Sequence, residues 1–229
     1  MPAAPTLSIV IPALNEAGIV QAALQRLRAQ APEVECVLAD GGSTDGTAEL
    51  AAPYARVVHA PRGRALQLNA GAEAAGGAWL LFLHVDTRLP EGFQHEPARA
   101  AAAGYAAGAF RLRIEGRHPL LPLLAWGANQ RTRWRHIALG DQALFCTRAV
   151  FQAQGGFPPL PLLEDYAFVC ALRRARIPLY LAPGAVTTSG RRWDEQGFWR
   201  TWWRFRRIYW QGRRHSDLQR LAALHPDVR

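Results

Sequence analysis

Three acidic side chains stand where a short apolar run gives way to polar residues. Glu16 comes after Leu7-Ser-Ile-Val-Ile-Pro12, Asp40 closes Val34–Ala39, and Asp86 comes after Ala78–Leu83. Apolar runs of this length read as buried strands, and open α/β sheets bind ligands beyond the carboxyl ends of their strands. Three carboxylates on one rim repel each other unless a cation or hydrogen-bond donors lie among them. A divalent metal, Mg2+ or Mn2+, with a nucleotide diphosphate would satisfy them, because such ions accept carboxylates, phosphate oxygens and water. Each acid alone reads better as a cap on the following helix; the three together favour a ligand site.

Asp40-Gly-Gly-Ser-Thr-Asp-Gly-Thr47 is the most informative segment. Its glycines let the backbone approach a ligand, while Ser43, Thr44 and Asp45 hold a tight turn. It is neither a dinucleotide fingerprint nor a P-loop. Arg62 and Arg64 open a helix, where guanidinium groups suit a diphosphate or simply face water. Glu164 and Asp165 sit in a first helical turn, favoured there by the helix dipole. For chemistry, one of them must face the cleft. Asp141 and Gln142 precede a short strand and fit the acceptor side.

The positioning elements follow from periodicity. Strands are expected over 7–12, 34–39, 55–60 and 78–83, with helices over 16–30, from Thr47, and over 63–76. This alternation implies parallel strands with right-handed crossovers. Further on, helices are expected over 91–103, 118–135, 164–176 and 195–213, and strands over 108–114, 143–146 and 179–182. Asn69 and Gly71 are placed to pack their helix against the sheet.

Composition narrows the chemistry. The chain has 229 residues, 49% hydrophobic and 20% charged, which is globular. All 27 basic residues are arginine, so a Schiff-base or P-loop lysine is excluded. Charge is −3 over residues 1–110 and +12 over 111–229. Cys36, Cys146 and Cys170 lie far apart in apolar segments and read as reduced core thiols of a cytoplasmic protein. No apolar stretch approaches the roughly 18 residues a membrane span needs, and no signal peptide is visible.

Ser8–Glu16, Ala39–Thr47, Asn69-Ala-Gly71 and Leu81-Phe-Leu-His-Val-Asp-Thr87, in this order and spacing, resemble the glycosyltransferase family 2 pattern. The resemblance implies the GT-A fold: a Rossmann-like, mostly parallel α/β sheet flanked by helices, here with a C-terminal amphipathic helix. The resemblance covers roughly residues 6–195, and with no linker or internal repeat one domain is expected over 1–229. Residues 1–110 would bind the nucleotide, 111–195 the acceptor, and 196–229 would form a basic aromatic tail. Nucleotide contacts would come from Pro12, Asn15, Glu16, Asp40, Gly42, Ser43, Arg64, Gln67 and Val85. Asp86 matches the second Asp of the family's D-x-D signature, which holds the metal; the first is His84 here. Imidazole can ligate manganese, hydrogen-bond a ribose, or satisfy a backbone carbonyl. The His-Val-Asp-Thr form and the Arg62–Gly71 segment look most like a bacterial branch labelled radical-SAM/selenodomain-associated transferase 2.

Gly155-Gly-Phe157 followed by Leu163-Glu-Asp-Tyr166 resembles the family segment whose Asp is the catalytic base. That implies Asp165, with Glu164 as second choice. Arg191-Arg-Trp193 resembles the end of the processive relatives' Gln-x-x-Arg-Trp motif, but Ser189 stands at the Gln position, which argues against a processive polymerase. Arg192 remains a phosphate contact and Trp193 a sugar platform. The implied reaction is inverting transfer from a nucleotide-diphosphate sugar, uridine favoured, to a hydroxyl, phosphate or carboxylate acceptor, lipid-linked or not. One base takes the acceptor proton, and a metal can stabilise the leaving diphosphate.

Two other classes compete. A nucleotidyltransferase shares the α/β plan but usually carries a Gly-rich loop with a downstream lysine, which this chain lacks. A nucleic-acid binder would use the basic half, but the first half is acidic and no recognition motif is present, so none is expected. Phe198–Trp210 is dense in Trp and Arg. It reads either as a helix packed on its own domain, preferred for most of its aromatics, or as an interfacial helix on the inner membrane face through residues 196–214. Arg200, Arg204 and Arg207 would lie opposite the aromatic arc.

Overall fold

The computed structural model describes residues 6–212, with side chains of the last helix described through Ile208. Strands β1 (Leu7–Ala13), β2 (Glu35–Asp40), β3 (Arg56–His59) and β4 (Trp79–Phe82) run parallel. Helices α1 (Ala17–Gln30), α2 (Thr47–Ala51) and α3 (Arg64–Ala74) join them. Next come α4 (Glu96–Ala102), β5 (Ala107–Glu115), α5 (Leu121–Arg135), β6 (Phe145–Thr147), α6 (Arg148–Ala153) and α7 (Glu164–Arg174). The described chain ends with β7 (Tyr180–Ser189), α8 (Arg191–Gln196) and α9 (Phe198–Gly212). One seven-stranded sheet results, in the order β3-β2-β1-β4-β6-β5-β7. It is the mostly parallel α/β architecture expected.

Strands covered on both faces must be apolar on both, and β1 is buried from Leu7 to Ile11. Successive residues alternate between two cores, as strand geometry requires. Ile9, Ile11 and Leu81 join Leu24, Phe93 and Phe110 on one face. Val10, Leu80 and Phe82 join Leu68, Phe157 and Phe168 on the other. There Phe157 meets Phe82 edge-on at 4.8 Å. Asn69 holds the backbone of Phe157 from both sides, donating to its carbonyl at 2.8 Å and accepting its N–H at 2.9 Å. Its role is structural, as its placement beside Gly71 implied. Cys36 and Cys146 are buried thiols, and Cys170 is half-buried.

The structure departs from the sequence expectations at four places. β6 runs antiparallel between β4 and β5, the exception in the otherwise parallel sheet. β7 continues to Ser189 rather than ending at Ala182. Phe110 pairs with Ala182 and Arg111 with Ala185, so Pro183 and Gly184 form a bulge and pairing resumes beyond it. An unexpected helix, α6, is capped by the Thr147 hydroxyl, which accepts the Val150 N–H at 3.2 Å. The helix expected over 195–213 is divided at Gly197, whose φ of +83° ends α8 before α9 begins. Residue 213 lies outside the described residues, as does residue 214 of the expected membrane segment. Among the described residues, no helix is long and apolar enough to cross a membrane.

Candidate active site

The carboxyl ends of β1 and β2 are bound together by their loops. Asn15 accepts the Thr44 N–H at 2.9 Å, and its own N–H donates to Ser43 Oγ at 2.9 Å. The first N–H groups of α1 lack intrahelical partners. Thr47 Oγ1 accepts that of Glu16 at 2.8 Å, and Asp45 accepts that of Ala17 at 3.0 Å. The buried Asp40 carboxylate accepts the N–H groups of Gly42 and Ser43, both at 3.1 Å, and lies 3.6 Å from His59. Burial pushes its pKa up, but hydrogen bonds from Ser43 and Gly42 outweigh this and hold it below the usual range. Gln67 is also buried and donates to the Ala13 and Ala39 carbonyls at 2.7 and 3.0 Å. A Cβ on Gly41 would stand 2.8 Å from its Nε2, so a larger residue there would have to displace this amide. In this structure Asn15, Asp40, Ser43 and Gln67 therefore build the rim from within.

Beside this rim, four segments from distant parts of the chain meet. His84 comes from the end of β4, Arg64 from the start of α3, Glu164 and Asp165 from the start of α7, and Gly140 from the turn before β6. The Gly140 N–H donates to Asp165 Oδ2 at 2.6 Å, while Oδ1 accepts the Tyr166 N–H at 2.7 Å. A Cβ on Gly140 would lie 2.9 Å from His84 Nε2 and 3.1 Å from Asp165 Oδ2, so both groups converge on the space glycine leaves. Pro12, Phe82, Gly140, Phe157 and Glu164 line the same cleft. Glu164 is only 1% exposed and pairs through Oε1 with Arg64. Its Oε2, like Asp141 Oδ1, is buried with no hydrogen-bond partner among the described residues. Buried polar atoms left so call for a polar ligand or water.

Charge is sorted across this cleft. Burial, reinforced by Arg64 and Arg192 against Asp86 and Asp165, brings the His84 pKa down to about 4, so its imidazole is neutral with a free lone pair at neutral pH. Burial raises Asp141 to about 6, with Asp165 adding to it and Arg131 opposing. Burial and the neighbouring Asp86 raise Glu16, and Arg191 opposes them. Burial alone would lower the Arg64 pKa, but Glu164, Asp165 and Asp141 leave it raised. Asp86 is exposed at the strand end. Glu16 and Asp86 thus form an acidic lip, faced by cations on α3 and α8. Such a site suits an anionic ligand that brings or shares a cation.

Several expected contacts lie elsewhere. Gln142 is fully buried and does not reach the cleft. Its amide donates to the Phe110 carbonyl at 3.2 Å and accepts from Thr132 at 2.9 Å, tying β5 to α5. Val85 turns its side chain into the core that holds Ile11 and Leu89. Trp193 packs at 5.6 Å against both Phe198 and Phe205, so its ring serves the α8–α9 junction. The Arg64–Glu164 pair, the gap at Gly140 and the approach of Arg191 to Glu16 carried no expectation. The first spans 100 residues, and no local pattern announces it. The Gly-Asp-Gln run was the one available signal for the second.

The model of the family described as glycosyl transferase family 2 matches residues 8–151. The PGL/p-HBAD biosynthesis glycosyltransferases of Mycobacterium bovis and Mycobacterium tuberculosis are 39% identical over 171 residues, covering 68% of this chain and 62% of theirs. The chain thus spans less than two thirds of the length of these curated relatives. A mannosyltransferase from Pyrobaculum calidifontis, solved in complex with GDP-Man and Mn2+, has a TM-score of 0.68 at 19% identity, covering 90% of this chain and 62% of its own. Glucosyl-3-phosphoglycerate synthase from Mycobacterium tuberculosis, in complex with phosphoglyceric acid, has a TM-score of 0.59 at 19% identity, covering 82% and 71%. These two share the fold.

Proposed function

Because the chain belongs to glycosyl transferase family 2, we propose that it moves a sugar from a nucleotide-diphosphate donor, preferentially uridine-linked, to an acceptor hydroxyl with inversion. The observation that carries this reading is the convergence of Asp165 and His84 on the gap at Gly140, between the acidic lip and Arg64.

Asp165 is the base. Two backbone N–H groups fix its carboxylate, one on each oxygen, and each oxygen keeps a lone pair for an acceptor proton. Inversion in one displacement requires one base and no covalent nucleophile. Glu164 is the weaker candidate because it is buried against Arg64. It acts by holding that guanidinium, which faces the donor phosphates with Arg191 and Arg192. Asp141 stands beside Asp165 on the acceptor side.

A divalent cation fits this donor set. Asp86 offers an exposed carboxylate and His84 a neutral imidazole two residues away, with Glu16 near Asp86. Among the described residues, no three His, Cys, Asp or Glu cluster as a complete metal cage. An ion held by Asp86 and His84 would complete its coordination sphere with phosphate oxygens and water. When bound, the ion would offset charge on the departing diphosphate.

The test is thermal shift with UDP- and GDP-sugars, with and without Mn2+, followed by nucleotide-release assays on wild type and Asp165→Asn. Donor and Mn2+ together should raise the melting temperature of both proteins. Asp165→Asn should lose about 100-fold or more in turnover while binding donor normally. Unchanged turnover would overturn the assignment.

A further inference from the structure

Five large apolar side chains are each at least 60% exposed, and all lie on two helices: Leu123, Trp126 and Trp134 on α5, Trp199 and Trp203 on α9. The other exposed large apolar residues among those described, Ile19, Leu50 and Leu66, stay below 40%. Spacings of three, four and seven place side chains on one helical stripe. Leu123, Trp126, Gln130 and Trp134 share such a stripe on α5, and Trp199, Trp203 and Arg206 share one on α9. The inward faces are anchored by Leu121, Ala125 and Thr132 on α5 and by Phe198, Thr201 and Ile208 on α9. The expectation that most α9 aromatics would pack inward holds for Phe198 and for Phe205, which packs against Leu162 and Ile208, with Trp202 half-buried; Trp199 and Trp203 are the exceptions. Arg206 joins these outward tryptophans, and Arg204 is half-buried.

The charge on these helices has one sign. Neither α5 nor α9 contains Asp or Glu, while Arg133, Arg135, Arg200, Arg206 and Arg207 are all exposed. The two helices start from one corner of the molecule. His118, just before α5, stacks on Phe198 at 4.1 Å, and Asp194 accepts the Arg117 N–H at 3.0 Å.

We propose that this corner docks on an anionic lipid bilayer, with the tryptophans at headgroup level and the arginines on lipid phosphates. Tryptophan prefers that boundary because one part of the ring is apolar and the N–H is polar. Basic helices without acids gain from the negative surface potential of such a bilayer. A single-stranded nucleic acid binds in a charged groove lined by stacking platforms, whereas these residues stand on outward helix faces. The proposal does not rest on sugar transfer. It adds that α8, which carries Arg191 and Arg192, leads directly into α9, so the cleft would open beside the lipid surface.

The test is flotation of the full chain with phosphatidylcholine vesicles, with and without phosphatidylglycerol, at low and high salt. The chain should float with the anionic vesicles and sink as salt rises. Trp199→Ser/Trp203→Ser and Trp126→Ser/Trp134→Ser should each reduce flotation without lowering the melting temperature. Replacing Arg200, Arg206 and Arg207 by Gln should weaken partition about fivefold per arginine. Absence of flotation on anionic vesicles at low salt would overturn the proposal. So would tryptophan variants that float like wild type, or a single-stranded DNA complex formed by a chain that ignores vesicles. Self-association that the same substitutions abolish, without flotation, would overturn it as well.

Discussion

Neutralising Glu164 isolates the ion pair that joins α3 to α7. Glu164 is 1% exposed, and the Arg64 side chain keeps 27% of its surface in solvent. Removing one partner of a buried pair costs about 3–5 kcal/mol, because the remaining charge is buried without compensation. Arg64 is partly wetted, so Glu164→Gln belongs at the lower end, about 3 kcal/mol. In urea, with a slope of about 3 kcal/mol per M, the midpoint should fall by about 1 M. Circular dichroism reads this without any substrate. Replacing both partners, Arg64→Met with Glu164→Leu, removes both charges and keeps apolar volume. Such exchanges are often neutral, so the double variant should recover most of the loss, giving a coupling of about 2 kcal/mol or more. The recovered protein should still lose affinity for UDP with Mn2+, since Arg64 is gone. A Glu164→Gln midpoint within about 0.2 M of wild type, or a double variant as unstable as the two singles summed, would refute the reasoning.

Other expectations follow from the same cleft. Gly140→Ala places a methyl group 2.9 Å from His84 Nε2 and 3.1 Å from Asp165 Oδ2. Displacing either by up to about 1 Å should lower nucleotide release by about 10- to 100-fold, with donor affinity measured by titration nearly unchanged; wild-type turnover would contradict the convergence. Asp141 has its folded pKa raised to about 6 from an ordinary 3.8, so the folded state binds more protons between those values. Stability should therefore decline as pH rises from about 4 to 6, by up to about 3 kcal/mol, then level off. Asp141→Asn should abolish that decline, and parallel melting-temperature profiles for the two proteins would contradict it.

The first half of the molecule was legible because its information is local. Each buried strand is a short apolar run, and each rim acid lies at the end of one. What escaped was set by contacts distant in sequence. Pro183-Gly184 looks like a stop, and only the bulge opposite Phe110 and Arg111 lets β7 continue. Gln142 looks like a ligand contact because it follows Asp141, yet three partners from α5 and β5 draw its amide inward. The ranking of Asp165 over Glu164 came from the family resemblance, because two adjacent acids do not by themselves reveal which one faces the cleft. That depends on Arg64 arriving from α3 to claim one of them. The C-terminal helix was legible as amphipathic, but its orientation was set by anchors at Phe198, Thr201 and Ile208.

The three residues of β6 have a consequence for how the protein is made. β4 and β5 do not pair with each other; Phe145–Thr147 is wedged between them, pairing with Trp79–Leu81 on one side and Ala107–Gly108 on the other. Until that segment leaves the ribosome, the nascent sheet ends in an apolar, unpaired β4 edge, the kind of edge that invites foreign strands. β6 is therefore a latch inserted late, and Gly140 lies on the turn leading into it. Any looseness in the latch would move the Gly140 N–H away from Asp165. The register of one very short strand, made only after both of its neighbours, thus bears on how the turn carrying Gly140 meets Asp165.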